Sequence, residues 1–253
     1  MEDPNEYPFA FAFLDVLGWK NLTAGEDKAV VDELRGIVAQ SAGGVIYPGS
    51  VPSARSGNAL TKNLYTDAIV IERSLTGMSG IGGEMFWHCI DFTCHTLLSH
   101  GWLVRGAVIV DWRSQYERAT IRAVALEKSA NYPMIVVDSQ GGGPNPLLTT
   151  GWHGSEGGCP YRGLLRQLEN QNWVFDFWRY VSPMLTEVER KSQVRAKLET
   201  FRPIIVMNLE KHAPSKGTDE RVTDKHRWFA SYFNEVAEEV GAAKIDMTST
   251  TFQ

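Results

Sequence analysis

The chain has 253 residues, of which 43% are hydrophobic and 22% are charged, and its formal net charge is −5. This length and composition are typical of a globular protein with a sizeable buried core. The acidic balance argues against a broad nucleic-acid surface, which needs a basic face. It does not exclude a nucleotide ligand, because a metal ion and a few basic side chains can meet that charge locally.

The first residues and the cysteines indicate a cytoplasmic protein. Residues 1–6 are acidic and polar, unlike the basic and then apolar pattern of a secretory signal peptide. No apolar run in the sequence approaches the length of a membrane span. Cys89, Cys94 and Cys159 are odd in number and follow no disulfide-framework pattern, which favours reduced thiols. We therefore expect a cytoplasmic location without membrane association.

The segment 9–20 is predicted to begin as a buried strand and to end in a turn. It is apolar at nearly every position before Asp15, which is typical of a central strand covered on both faces. A carboxylate at the end of such a strand is costly unless a cation meets it. Gly18 permits a tight turn, and the backbone amides of 16–20 can then bind an anion as the start of a helix does. The segment therefore predicts either a metal–nucleotide site or an Asp that only caps the next helix.

A second strand with one acidic residue is predicted over 62–71, where Asp67 stands among apolar and β-branched residues. Before it, the pattern predicts an amphipathic helix over 26–41 and a short strand at 45–47. If the two acidic strands pair side by side, Asp15 and Asp67 lie close together. Like charges at such a separation are stable only with protonation or with a bound cation. Mg²⁺ and Mn²⁺ are the hard ions that bridge carboxylates to phosphate oxygens.

The later part of the sequence predicts the rest of the fold. Helices are predicted over 84–99, 119–129, 173–179, 183–201 and 224–240. Strands are predicted over 102–110, 133–137 and 203–207, and an irregular segment over 141–160. This order favours an α+β, ferredoxin-like fold with a central, mostly antiparallel sheet flanked by helices. We expect a single domain over 1–253, with a core at 9–140 and a C-terminal helical elaboration at 141–253.

Arg105 is a charged residue within the otherwise apolar strand 102–110. Its guanidinium needs an anionic partner, and an always-charged planar fork suits phosphate oxygens. A structural salt bridge to Asp67 or Glu127 is the alternative interpretation.

Four motifs, taken in order, resemble the class III nucleotide cyclase catalytic domain. They are Phe13-x-Asp15-Val16-Leu17-Gly18-Trp19, Tyr65-Thr66-Asp67-Ala68-Ile69-Val70, Leu103-Val104-Arg105-Gly106-Ala107-Val108, and 123–138 with its Leu126-Glu127 and Tyr132-Pro133. The chain is most similar to the stand-alone pyrimidine cyclases of the bacterial Pycsar anti-phage system. The resemblance covers residues 9–138 and depends on the order and spacing of these short motifs.

The resemblance implies a cyclase that converts UTP, or else CTP, to the 3′,5′-cyclic monophosphate and pyrophosphate with two Mg²⁺ or Mn²⁺ ions. The catalytic residues it implies are Asp15, Asp67 and Arg105, and the metal ligands are Asp15, Asp67 and the carbonyl of Val16. For the substrate, the residues near phosphate are Val16, Leu17, Gly18 and Trp19. Separately from the resemblance, a pyrimidine needs a small base pocket, which Tyr47 or Tyr65 can narrow by stacking on the base, and an ordinary core position is the alternative for either tyrosine. The resemblance also implies a homodimer with active sites shared between subunits, and a separate effector that senses the product.

The sequence departs from the wider family at three positions. Purine cyclases carry an Asn and, four residues later, an Arg on the helix before Leu-Glu, and here those positions are Ile121 and Ala125. Arg118 and Arg122 lie close enough in sequence to substitute. Met134 stands where the pyrimidine-cyclase pattern has an arginine.

Three alternatives to a pyrimidine cyclase therefore stay open. One is a purine nucleotide cyclase, and another is a non-catalytic, nucleotide-binding homologue. The third is a relative of palm-type polymerases, which would need a basic groove for nucleic acid.

Overall fold

A computed structural model describes residues 6–18, 36, 60–65, 68–75, 81–140, 143–145, 148, 164–181 and 185–247. The chain divides into two compact units. The first comprises residues 1–97 and 102–175, and the second comprises 98–101 and 176–253. The expectation of a single domain over the whole chain stays a prediction.

The first unit is built on a seven-stranded sheet with the order β2-β3-β1-β4-β5-β9-β8. Its strands are β1 (Pro8–Val16), β2 (Leu60–Tyr65), β3 (Ala68–Ser74), β4 (Val104–Trp112), β5 (Ile135–Val137), β8 (Leu165–Gln167) and β9 (Trp173–Phe175). A separate two-stranded ribbon pairs β6 (Ser139–Gln140) with β7 (Gly143–Pro144). The helices are α1 (Ile81–Ser99) and α2 (Tyr116–Ser129), and a 3₁₀ turn, η1 (Arg113–Gln115), joins β4 to α2.

The sheet confirms the predicted α+β class and its mostly antiparallel character. Within the described sheet, every neighbouring pair of strands is antiparallel except β4–β5. The central order β2-β3-β1-β4, with α1 between β3 and β4, is consistent with a ferredoxin-like fold.

The prediction of one strand over 62–71 is wrong, because these residues belong to two paired strands. β2 ends at Tyr65, β3 begins at Ala68, and these two residues are register partners in an antiparallel pair. Asp67 falls between the strands and lies outside the described residues, as do the predicted strand at 45–47 and, apart from residue 36, the predicted helix over 26–41.

One face of the sheet is covered by α2. Phe9, Phe11, Val70 and Ile109 of the sheet pack with two alanines of the helix in one buried cluster. Those alanines, Ala119 and Ala123, are fully buried, and such small side chains allow the helix axis to approach the strands closely. Side chains alternate between the faces of a strand. In β1, therefore, Phe13 and Asp15 share the face of Phe9 and Phe11 that α2 covers.

The second unit contains α3 (Glu187–Lys211), the 3₁₀ turn η2 (Pro214–Lys216) and α4 (Glu220–Val240). The predicted strand at 203–207 is wrong, because Pro203 lies inside α3. Buried residues at helical spacing explain the result: they are Leu198, Phe201, Ile205 and Leu209. A single proline weakens a helix, but this packed stripe outweighs both it and the β-branched sequence around it.

The predicted helix over 173–179 is also wrong. β9 takes the first three of these residues, and Val174 is the register partner of Val136 in β5 and of Arg166 in β8. Trp, Val and Phe favour strands, and the edge of β5 was available for pairing.

None of the helices in the described part of the chain is long and apolar enough to cross a membrane.

Candidate active site

Asp15 lies at the end of β1, between the two strands that flank it in the sheet. Its register partners are Ala68 at the beginning of β3 and Arg105 near the beginning of β4. β1 therefore pairs side by side with the strand that begins one residue after Asp67. This is the pairing on which the predicted approach of two carboxylates depended.

Arg105 joins three elements at this end of the sheet. Its Nη2 donates to Oδ2 of Asp15 at 3.2 Å, and its Nη1 donates to the backbone carbonyl of Ala130 at 3.3 Å. Its Nε forms an ion pair with Oε1 of Glu127 on α2. The structure therefore contains the salt bridge from Arg105 to Glu127 that was the alternative interpretation, and it adds a contact of Arg105 with Asp15.

The two carboxylates that Arg105 contacts differ in their access to solvent. The side chain of Asp15 is 24% exposed, whereas that of Glu127 is 4% exposed. Burial raises the pKa of Glu127, and Asp15 adds to this effect, whereas the positive charge of Arg105 opposes it. Glu127 thus depends on Arg105 to carry its charge in a buried position. A ligand that arrives from solvent meets Asp15.

The glycine after Arg105 allows β1 and β4 to pack closely at this point. A Cβ atom on Gly106 would lie 2.6 Å from the carbonyl oxygen of Phe13 and 2.7 Å from Cδ2 of Leu14. The Gly106 amide also donates to the carbonyl of Met134 at 2.9 Å. This contact places the chain just before β5 beside the strand that carries Arg105.

The turn after β1 differs in part from the predicted anion-binding arrangement. Val16 is buried, and the amide of Leu17 donates to the carbonyl of Leu103 at 2.9 Å, which continues the pairing with the chain before β4. The Leu17 amide is therefore already engaged. Gly18 is exposed and has a φ of +91°, a left-handed value that favours glycine. Trp19 and Tyr47 lie outside the described residues, as Asp67 does.

Arg122 does not lie with Asp15 and Arg105. Its Nη1 lies 2.6 Å from Oδ2 of Asp111, at the opposite end of β4, and its Nη2 lies 2.7 Å from Oδ2 of Asp138, after β5. Burial works against the charge of Arg122, but the hydrogen bonds and charges of the two aspartates outweigh it and raise the pKa of Arg122. Arg105 and Asp111 are six residues apart in β4, about 20 Å of extended strand. Within one subunit, Arg122 is thus remote from Asp15.

A second polar cluster at the Asp111 end of the sheet was not anticipated from the sequence. Arg113 Nη1 lies 3.1 Å from Oε2 of Glu72, and the hydroxyl of Tyr116 donates to the other oxygen of that carboxylate. The Arg113 guanidinium also lies over the rings of Tyr116 and Phe9. These contacts fasten the beginning of α2 to β3 and β1. The contacts of Arg105 with Glu127 and Asp15 fasten the end of α2 to β4 and β1 at the other end of the sheet.

The carboxylate of Asp15 is of the kind that binds a hard divalent cation. Asp15 offers carboxylate oxygens, and oxygen donors are what Mg²⁺ and Mn²⁺ prefer. The second predicted carboxylate, that of Asp67, belongs to the residue directly before the register partner of Asp15. Among the described residues alone, no three His, Cys, Asp or Glu side chains form a group that could hold a metal.

Comparisons of this chain with protein-family models, curated proteins and solved structures give no match. The resemblance to nucleotide cyclases therefore depends on the sequence motifs alone.

Proposed function

We propose that this protein is a metal-dependent pyrimidine nucleotide cyclase of the class III fold. It would convert UTP, or else CTP, to the 3′,5′-cyclic monophosphate and pyrophosphate, as a second messenger in anti-phage defence. The observation that carries the proposal is the register of β1. Asp15 lies opposite Ala68, the residue after Asp67, and on its other side it lies opposite Arg105. Asp15 and Arg105 thus lie together at one end of the sheet, beside the strand that begins one residue after Asp67.

Cyclisation needs groups that handle charge on a triphosphate. The ribose 3′-oxygen forms a bond to the α-phosphorus, the bond from that phosphorus to the β-phosphate oxygen breaks, and the hydroxyl proton is lost to solvent. Bound divalent ions lower the pKa of the hydroxyl and take up charge on the leaving pyrophosphate. Asp15, Asp67 and the carbonyl of Val16 would hold those ions.

The described residues contribute positioning and positive charge. Arg105 presents a guanidinium beside Asp15 and can stabilise anionic phosphate oxygens. The contacts of Arg105 with Glu127 and the carbonyl of Ala130 fix its orientation.

The proposal includes a homodimer in which each active site is shared between subunits. Arg122 lies far from Asp15 within its own subunit, so any part it plays at phosphate would be in the site of a partner. A separate effector that senses the cyclic nucleotide would carry the signal onward.

The test is to incubate the purified protein with each of the four nucleoside triphosphates and Mn²⁺, separately, and to identify products by mass. Cyclic UMP or cyclic CMP that disappears in Asp67→Ala is the expected result and fixes the base. Cyclic AMP or cyclic GMP would replace the pyrimidine assignment with the purine one. Triphosphate binding without any product would favour the non-catalytic homologue. Retardation of single-stranded nucleic acid at low salt would favour the polymerase relative.

A further inference from the structure

We propose that Glu127 is a positioning residue, which keeps the Arg105 guanidinium at the mouth of β1 when Asp15 takes up a metal-bound triphosphate. The inference rests on the proposed function and adds to it a residue that the motif alone left as a structural partner. It depends on the unequal environments of the two carboxylates that Arg105 contacts.

Asp15 would have two competing cationic partners, Arg105 and the divalent ion that arrives with the triphosphate. Its carboxylate lies 3.2 Å from Arg105 and is partly open to solvent. A divalent ion that binds this carboxylate carries twice the charge of the guanidinium and repels it. The contact of Arg105 with Asp15 is therefore weakened when the metal binds, and without another anchor the long side chain would be free to leave the site.

Glu127 and the carbonyl of Ala130 would still hold Arg105 after its contact with Asp15 is weakened. Glu127 pairs with Nε, and the carbonyl of Ala130 accepts from Nη1, so neither contact uses Nη2, the atom that faces Asp15. Glu127 is almost fully buried on α2, and a metal from solvent cannot compete for it as it can for Asp15. The guanidinium would then stay in place with Nη2 released toward the phosphates, and little side-chain entropy would be lost on binding.

Glu72 makes it possible to distinguish a positioning role of Glu127 from a general contribution to the stability of the fold. On the same sheet face, at the opposite end, Glu72 pairs with Arg113 of η1 and accepts a hydrogen bond from Tyr116 at the beginning of α2. Glu72 and Glu127 thus both tie α2 to the strands, but only Glu127 reaches the arginine beside Asp15. Glu72→Gln is therefore a matched control, because it removes a similar stabilising contact and leaves the Asp15 end unchanged.

The experiment measures binding of 3′-deoxy-UTP, which cannot cyclise, in the presence of Mn²⁺ by titration calorimetry, and turnover of UTP in parallel. If the product assay identifies CTP as the substrate, 3′-deoxy-CTP and CTP replace them throughout. The proteins are the wild type, Glu127→Gln, Arg105→Lys, the double variant and Glu72→Gln, each checked for cooperative thermal unfolding. If Glu127→Gln does not fold, Glu127→Asp replaces it throughout, since it keeps the charge but shortens the reach to Arg105.

We expect Glu127→Gln to weaken 3′-deoxy-UTP binding by roughly tenfold, the effect of losing one charge-assisted contact. In the Arg105→Lys background the same substitution should change binding less than about twofold, because Glu127 acts through Arg105. Glu72→Gln should bind as the wild type does.

Independent, additive effects of the two substitutions, or equal effects of Glu127→Gln and Glu72→Gln, would overturn the inference. The proposed function is tested separately, by the turnover assay.

Coupled binding effects without any cyclic product would sustain the positioning role and refute the cyclase. Cyclic product with additive effects would refute the positioning role and sustain the cyclase. A wild type that binds neither 3′-deoxy-UTP nor 3′-deoxy-CTP would refute both.

Discussion

Arg105 and Asp15 are register partners on neighbouring antiparallel strands, and Nη2 of the arginine lies 3.2 Å from Oδ2 of the aspartate. The guanidinium provides the cation that a carboxylate at the end of a buried strand requires. Both side chains keep about a quarter of their surface open to solvent. The pair can therefore separate when a more strongly charged ligand binds.

Asp15→Asn should abolish product formation while leaving the fold intact. The amide keeps the shape of the side chain but removes the charge that would hold a divalent ion, so the rate should fall by roughly 100-fold or more. The contact with Arg105 is partly solvent-exposed, so the free energy of unfolding should change by no more than about 1 kcal/mol. Initial rates and a thermal unfolding curve measure the two effects, and activity close to that of the wild type would contradict the assignment of Asp15.

Gly106→Ala should destabilise the first unit. The added Cβ would meet the backbone carbonyl of Phe13 at 2.6 Å, and backbone in a central strand cannot move aside at little cost. We expect a loss of about 2 kcal/mol or more in the free energy of unfolding. Gly143→Ala is the control, since a Cβ there has no neighbour within 4 Å. Equal stabilities of the two variants in a denaturant titration would show that the strands are not packed so closely.

Arg73→Met should stabilise the protein or leave its stability unchanged. Arg73 is only 7% exposed, and within the described part of the chain its Nε and Nη1 have no hydrogen-bond partner. Burial lowers the pKa of Arg73, and only the nearby Cys89 opposes this effect. An unpaired buried charge is costly, and an apolar side chain of similar length removes that cost.

The comparison for this prediction is Arg113→Met, which breaks the contact with Glu72. That variant should lose about 1 kcal/mol. The melting temperature should thus fall in Arg113→Met and rise or stay unchanged in Arg73→Met, and a similar fall in both would mean that Arg73 has a stabilising role that its contacts do not account for.

Acid should destabilise the second unit through His226. Its ring stacks on that of His212 with centroids 4.3 Å apart. Burial lowers the pKa of His226 to about 3, and the charges of His212, Lys211 and Lys225 act in the same direction. The unfolded chain takes up this proton below a pH of about 6.5, so stability present above that pH is lost as the pH falls toward 3. The slope is at most about 1.4 kcal/mol per pH unit.

The substitution His226→Phe isolates this effect from the titration of carboxylates. Phenylalanine keeps a stacking ring but takes up no proton. The free energy of unfolding is measured in urea from a pH of about 6.5, the ordinary histidine pKa, down to about pH 4. Over this range the variant should lose less stability than the wild type. Identical losses in both would exclude His226 as a source of acid sensitivity.

The sequence was sufficient for features that depend on local pattern. The apolar run before Asp15 predicted β1 correctly, and the need of Arg105 for an anion led to Glu127 as one candidate partner. What could not be predicted depends on contacts between distant residues. The register that places Asp15 opposite Arg105 is fixed by packing along the whole of two strands. The contact with Ala130 depends on where α2 ends against that sheet.

The errors have the same origin. The apolar run over 62–71 has the composition of one strand, and only its pairing with itself at Tyr65 and Ala68 reveals two. The β-branched residues after Pro203 favour a strand locally, but the buried face of α3 continues through them. In both cases tertiary contacts decided between conformations that the local sequence left close in energy.

The most direct test of the account is the mass of the product formed from UTP and Mn²⁺ by the wild-type protein, with Asp15→Asn measured beside it. The account predicts cyclic UMP and pyrophosphate from the wild type, or cyclic CMP when CTP replaces UTP, and neither product from the variant. Unchanged triphosphate, or linear UMP and UDP at equal rates in both proteins, would contradict it.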